Sequence, residues 1–272
     1  MSDKTVRPIY LPDFTNPPLN EVVLGVQFAQ PKGYQQIYAG EIWKLFKEEF
    51  SQVQEQSPIP PSFETFGLPA ASRGEFNYIT GAIPNRFWFL RPNGDELIQF
   101  QSDRLIHNWK KVGDESNKYP RYEYIVKRFK SEFEQIQSYI NTLSPQSLII
   151  NQCEVTYVNH IKAEQGEPLV ASDWLRFLKF DTKEPDDFTL NFREIIADKD
   201  GKPYGRLICE SSIAFKGTNQ KIIQINLSVR GAPKESNIES ALEFITKGRD
   251  LIVSRFADMT TESAHKIWER VK

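Results

Sequence analysis

Between Leu97 and Phe133 the apolar residues change period, and that change constrains the fold more than any other feature of the chain. The run L-I-Q-F-Q-S-D-R-L-I-H-N-W alternates as a pair of β-strands does. A polar loop follows. Then Y-P-R-Y-E-Y-I-V-K-R-F-K-S-E-F places its apolar residues at three- and four-residue steps, the spacing of an amphipathic helix. Tyr122, Ile125, Phe129, Phe133, Ile136 and Ile140 continue that stripe, which predicts a helix over 119–143. Pro120 sits near its start, where a missing N–H costs little. A strand pair that feeds a long one-sided helix requires a sheet for the helix to cover.

The flanking sequence extends the pattern. Residues 19–29 read as a strand and 34–53 as an amphipathic helix, followed by a Pro-rich connection over 57–69. Short strands are expected at 76–79 and 86–91, joined by a turn at 83–85. Pro92-Asn93-Gly94-Asp95 marks a hairpin, because Asn-Gly accepts the positive φ of a tight turn. Strands at 97–101 and 104–110 complete the first set. After Ser144-Pro145 the order begins again. A strand is expected at 148–161, a helix at 169–180, strands at 188–197, 204–215 and 222–229, and a helix at 238–256. A final capped helix starts near Thr260-Thr261-Glu262. Asp198-Lys199-Asp200-Gly201 reads as a hairpin turn rather than a calcium loop, since the later ligands are missing.

The predicted fold is therefore α+β. It has two similar β-α-β(3–4)-α halves, 1–145 and 146–272, with antiparallel sheets covered on one face by helices. The result is a two-layer, pseudo-twofold arrangement by internal duplication. The 272 residues, 39% hydrophobic and 12% aromatic, fill such a core. A net charge of −2 is not that of a dedicated nucleic-acid binder. Two cysteines in apolar runs, Cys153 and Cys209, read as buried free thiols of a reducing compartment. With no signal peptide and no long apolar run, a cytoplasmic protein without a membrane partner is expected.

Chemistry is sparse. Neither G-x-G-x-x-G nor G-x-x-x-x-G-K-[ST] occurs, and neither does H-E-x-x-H nor G-x-S-x-G. His107, His160 and His265 stand far apart without metal-ligand spacing. No catalytic residue, metal or cofactor is expected, and the reading leans away from an enzyme. What remains is a candidate binding set: Glu21, Arg104, His107, Trp109, Lys110, Arg121 and Tyr122. Eight basic residues between Arg104 and Lys130 face three acids, Asp114, Glu115 and Glu123, with Trp109, Tyr119, Tyr122 and Tyr124 among them. Cations bind phosphates and aromatics stack bases. The plainer reading is a solvated helix face beside core aromatics. Asp103, Arg104, His107, Arg121 and Glu123 read as a polar network tying helix to sheet, and Glu21 as a salt-bridge partner for an arginine such as Arg104. The terminal set Phe256, Met259, Thr260, Thr261, His265 and Trp268 reads as packing on its own core.

Four motifs, P-P-L-N-E-V-V, F-Q-S-D-R-L-I-H-N-W, Y-P-R-Y-E and the closing F-A-D-M-T-T…W, span nearly the whole chain. With them the sequence resembles an uncharacterised, sporadically distributed prokaryotic family of about this length. The resemblance implies no catalytic residue. Its patchy distribution is similar to that of defence or toxin–antitoxin genes. The functional expectation is a non-enzymatic binding or regulatory protein, acting on a protein partner or through self-association. The alternatives are a nucleic-acid-binding surface over 104–130 and a small-ligand protein or enzyme with a site between helix and sheet.

Overall fold

The computed structural model of the chain describes residues 8–67, 85–113, 115–163, 167–217 and 220–271. The strand expected at 76–79 and most of the turn at 83–85 lie outside them. In chain order the elements are β1 (Leu19–Phe28), a 3-10 turn (Gln36–Tyr38), α1 (Ala39–Lys44), β2 (Gln52–Gln56), β3 (Arg86–Leu90), β4 (Glu96–Gln101), β5 (Arg104–Lys110) and α2 (Tyr122–Leu143). They continue with β6 (Ile150–Ile161), α3 (Ala171–Trp174), β7 (Thr189–Ala197), β8 (Pro203–Lys216), β9 (Gln220–Gly231), α4 (Ile238–Met259) and α5 (Glu262–Ile267).

The nine strands form one antiparallel sheet in the order β2-β3-β4-β5-β1-β6-β9-β8-β7. This corrects the expected fold of two β-α-β(3–4)-α halves with antiparallel sheets, which left open whether the halves share a sheet or abut. All nine strands join in one continuous sheet, not in a two-half arrangement. β1 pairs with β5 from Glu21↔Lys110 to Gln27↔Arg104, and along its other edge with β6 from Leu19↔Asn159 to Phe28↔Ile150. The physical reason is the edge. Two separate sheets would leave β1 and β6 each with a row of unpaired N–H and C=O groups, and pairing them satisfies both rows.

Both long helices cover the same face. α2 buries Ile125, Phe129, Phe133, Ile136 and Ile140, and α4 buries Ala241, Phe244, Ile245, Ile252 and Phe256. Beneath them lie the inward residues of alternating strands, among them Val22, Leu24, Leu105, Val155, Ile225 and Leu227, all at most 2% exposed. The helices are tied to each other where the Tyr122 hydroxyl meets Thr246 Oγ1 at 2.8 Å.

Two expected helices are shorter than their spacing predicted. The apolar stripe over 34–53 yields a 3-10 turn, the six residues of α1 and then β2, because residues 52–56 pair with β3 and pull the chain out of helix. Trp43 Nε1 closes that bend by donating to the Phe50 carbonyl at 2.9 Å. The run at 169–180 keeps only α3. Leu175 bridges to Thr260, and the Arg176 N–H donates to the Met259 carbonyl, so the backbone leaves the helix for the C-terminal segment.

α4 approaches the sheet most closely at Gly248. A β-carbon there would stand 2.7 Å from Val155 Cγ1 and 3.0 Å from Val229 Cγ1, two buried and stiff side chains. At an exposed helix position Gly→Ala gains about 1 kcal/mol. At this position overpacking costs about 1–3 kcal/mol and decides the sign. Gly248→Ala is therefore expected to lower the denaturant midpoint. A raised midpoint would contradict the close packing of α4.

Candidate functional site

Strand alternation divides the chemistry of the chain between two faces. His107 and Trp109 point to the helices, fully buried. Arg104 and Lys110, on the same strand, point to the helix-free face, where Lys110 stands in register beside Glu21. The expected binding set is therefore not one site. Glu21, Arg104 and Lys110 share the helix-free face, whereas Tyr122 is buried beneath Arg249, whose guanidinium carbon lies 4.3 Å from the ring centroid. Arg121 is exposed before α2 and meets Asp13 at 3.2 Å.

The helix-free face is lined by carboxamides and charges rather than by a second apolar layer. Trp88 Nε1 donates to Gln99 Oε1 at 3.0 Å, Gln99 Nε2 to Asn108 Oδ1 at 2.7 Å, and Asn108 Nδ2 to Glu21 Oε1 at 2.6 Å. Arg86 also reaches Gln99. This polar ladder crosses four adjacent strands, β3, β4, β5 and β1. Glu21 thus receives its hydrogen bond from Asn108, while Arg104, on β5, stands beside Gln27 at the other end of β1.

Across the far end of the face runs the segment 57–67, a strap held by side chains of seven strands. Arg86 of β3 is among them, and its Nε donates to the Ser57 carbonyl at 3.3 Å. Gln101 grips Ile59 with both ends of its carboxamide. Its Oε1 accepts from the Ile59 N–H at 2.9 Å and its Nε2 donates to the Ile59 carbonyl at 3.0 Å. Gln27 Oε1 accepts from the Ser62 N–H at 2.9 Å, and Gln152 Oε1 from the Glu64 N–H at 3.4 Å. Arg104 donates to the Pro60 carbonyl at 3.1 Å and Arg206 to the Thr65 carbonyl at 2.8 Å. Glu64 anchors the end of the strap through Arg206 at 2.8 Å, an ion pair less than 10% exposed on either side. Arg230 adds a bond to Ser62 Oγ at 3.0 Å. Pro58, Pro60 and Pro61 keep the strap extended and remove backbone donors that the face does not need to satisfy. Most of these bonds engage the backbone of the strap, groups that any extended polypeptide presents.

Beside the strap opens a cleft of about 200 Å³, lined by Val23, Gly25, Ile59, Ile106, Glu154 and Arg230 among others. Gly25 lines the cleft without a side chain; a β-carbon there would stand in contact with Ile106 Cγ1, 3.4 Å away. From Glu154 at its edge a half-buried row continues beyond the cleft to Thr156 and Ser228. Thr156 Oγ1 meets Ser228 Oγ at 2.7 Å.

On the opposite face His107 ties β5 to α2. Its Nδ1 lies 3.0 Å from both Glu132 oxygens, and its Nε2 lies 3.6 Å from Glu96 Oε2. Burial raises the Glu96 carboxyl above the ordinary range, against the pull of His107, Arg91 and Arg128. A helix-to-sheet polar network therefore exists, with partners other than those expected. Asp103 and Arg104 bond each other on the far face, and Glu123 pairs with Arg249 at 3.2 Å. The basic run divides as well. Arg128 bonds Glu49, and Lys130 stands near Glu134 and Glu239. At the C-terminus Trp268 stacks on Trp174, and His265 Nε2 meets Thr260 Oγ1 at 2.8 Å.

Sequence reasoning missed Gln27, Gln101, Gln152, Arg206 and Arg230. Their signal was present as glutamines and an arginine at the outward-facing positions of predicted strands, save Arg230, which lies one residue past the strand expected at 222–229. What hid it was the absence of any local cue that a distant Pro-rich connection would lie over them. No protein-family model, curated protein or solved structure matches the chain. Among the described residues no group of His, Cys, Asp and Glu is placed to hold a metal ion, and no helix is long and apolar enough to cross a membrane.

Cys153 borders the cleft, yet it is 1% exposed, and burial alone pushes its thiol far above the usual cysteine range. Cys209 is pushed up to about 12, chiefly by burial and further by Glu194 and Glu210. At mildly alkaline pH the reactive thiolate is nearly absent in the folded protein and forms readily once the chain unfolds. Iodoacetamide is expected to leave both thiols intact under native conditions and to modify both in guanidinium. Rapid native labelling of Cys153 would show that its thiol opens into the cleft.

Proposed function

We propose that the chain is a non-enzymatic binding protein that engages an extended segment of a protein partner on its helix-free sheet face. The observation that carries this reading is the strap. Side chains of six strands hold the backbone of 57–67, so the face is already built to grip an extended polypeptide mainly through its main chain. The partner segment runs beside the strap, over the cleft and the half-buried row of Glu154, Thr156 and Ser228. This is recognition of main chain by fixed side chains. It differs from strand addition at a sheet edge, where the backbone of the sheet itself supplies the bonds.

The resemblance to a sporadically distributed prokaryotic family supports a regulatory role accessory to a defence or toxin–antitoxin pair. The two free thiols fit a reducing, cytoplasmic setting. The nucleic-acid reading of 104–130 has less to rest on, because Arg104 is buried beneath the strap and Arg128 is engaged by Glu49.

Affinity capture from the host with the tagged protein tests the reading. The wild type is expected to retain a stoichiometric protein companion. Thr156→Arg together with Ser228→Arg should lose it, whereas Lys247→Glu on the exposed side of α4 should keep it. A companion that the face variant still retains would contradict the reading, as would salt-sensitive nucleic acid in place of a protein.

A further inference from the structure

Three non-glycine residues among those described have positive φ: Glu115 at 63°, Arg121 at 76° and Glu269 at 54°. All three border one cleft. Glu115 and Arg121 line it. Glu269 follows Trp268, a lining residue, and its carbonyl accepts from the N–H of Thr15, another lining residue. Arg121 combines its φ with a ψ of 154°, a region that only glycine enters without strain. Strain of this kind persists where surrounding structure holds it, and it gathers at ligand sites.

The cleft encloses about 650 Å³, within the range of small-molecule sites. It opens where β1 begins and where β5 and β6 end, at the opposite end of β1 from the strap. One wall is apolar, with Pro17, Pro18, Leu19 and Tyr119. The other is cationic. Lys111 Nζ donates to the carbonyls of Glu115 at 2.7 Å and Asn117 at 2.8 Å, which fixes the loop. Lys162 and Lys216 both close on the Glu115 carboxylate. Lys118 is exposed and has no ion-pair partner among the described residues. With Arg121 on Asp13, five cations meet two carboxylates among the described residues, Glu115 and Asp13.

Crowding shows in the protonation of the group. Burial holds Lys162 and Lys216 below the ordinary lysine range, and Lys111 adds to the effect at Lys216. His160 is likewise depressed by burial and by Lys162, and its buried Nδ1 has no hydrogen-bond partner among the described residues. α2 starts directly after Arg121 with no side chain capping its first turn, so its free N–H groups add to the positive field.

We propose that this cleft binds a phosphate-bearing small molecule. Its phosphates lie among Lys118, Arg121, His160 and Lys162, and its organic part rests against Pro17 and Tyr119. The strained turn at Arg121 is what swings that guanidinium to the mouth of the site. A nucleotide has both parts in the right proportion.

Isothermal titration of the full chain with ATP and with inorganic triphosphate tests the site. Saturable binding that weakens with added salt is expected for both probes, tighter for ATP. Lys118→Gln should weaken each by about tenfold, the scale of one charge-assisted hydrogen bond. Arg121→Gly should weaken binding too while raising the thermal midpoint, because it relieves the strain. A purely structural arginine would not give that opposite pair of shifts. Lys247→Gln, far off on α4, should bind as the wild type does. The proposal is overturned if neither probe binds the wild type, if Lys118→Gln binds unchanged, or if a short RNA binds far more tightly than ATP.

Discussion

Both edges of β1 are hydrogen-bonded, to β5 on one side and β6 on the other, and the rest of the molecule depends on that double pairing. It turns the strand sets before and after residue 145 into one sheet. It also aligns α2 and α4 side by side on a common face, where a single core forms beneath them. The opposite face becomes a broad surface that no described helix covers. A shift of β1 by one residue would turn Gln27 and Glu21 toward the helices and Val22 and Leu24 toward the open face. The buried register and the polar face are therefore enforced by the same alternation.

That polar face solves a specific physical problem. A one-sided sheet of this width leaves its uncovered face to water or to a partner. Carboxamides suit both, since each can donate and accept and so bond a neighbour, a backbone or solvent. Gln99 and Asn108 spend their bonds on one another and on Glu21, which stiffens one part of the face. Gln27, Gln101 and Gln152 turn theirs to the strap. The guanidiniums of Arg104 and Arg206 supply the carbonyl contacts that glutamines leave open. The strap is in this sense a resident example of the polypeptide the surface is suited to hold.

Much of the layer order was legible in the sequence. The long helices, the hairpin at Asn93-Gly94 and most strands follow from period and turn chemistry, which are local. The joining of strands into one sheet was not legible, because it is decided by which edges meet, and β1 and β6 are far apart in the chain. The stripe over 34–53 misled for a related reason. Its apolar spacing suits a helix, but Phe46 and Phe50 are buried by a bent connection that delivers residues 52–56 to β3. Among candidate residues, alternation within β5 was the deciding fact. Read along the chain, Arg104, His107, Trp109 and Lys110 form one cluster. In the fold they lie on opposite sides of the sheet. The strand assignment was available for making that division. The strap was not, since nothing in 57–69 beyond its prolines says where it lies.

The central claim is that the helix-free face grips an extended backbone through its side chains. Amide hydrogen exchange at Ile59 and Ser62 measures this directly, because those N–H groups donate to Gln101 and Gln27. The account predicts slow exchange at both in the wild type. In the Gln27→Ala, Gln101→Ala variant both should exchange as fast as an unstructured chain while the amides of β1 stay protected. Fast exchange at Ile59 and Ser62 in the wild type would contradict the account.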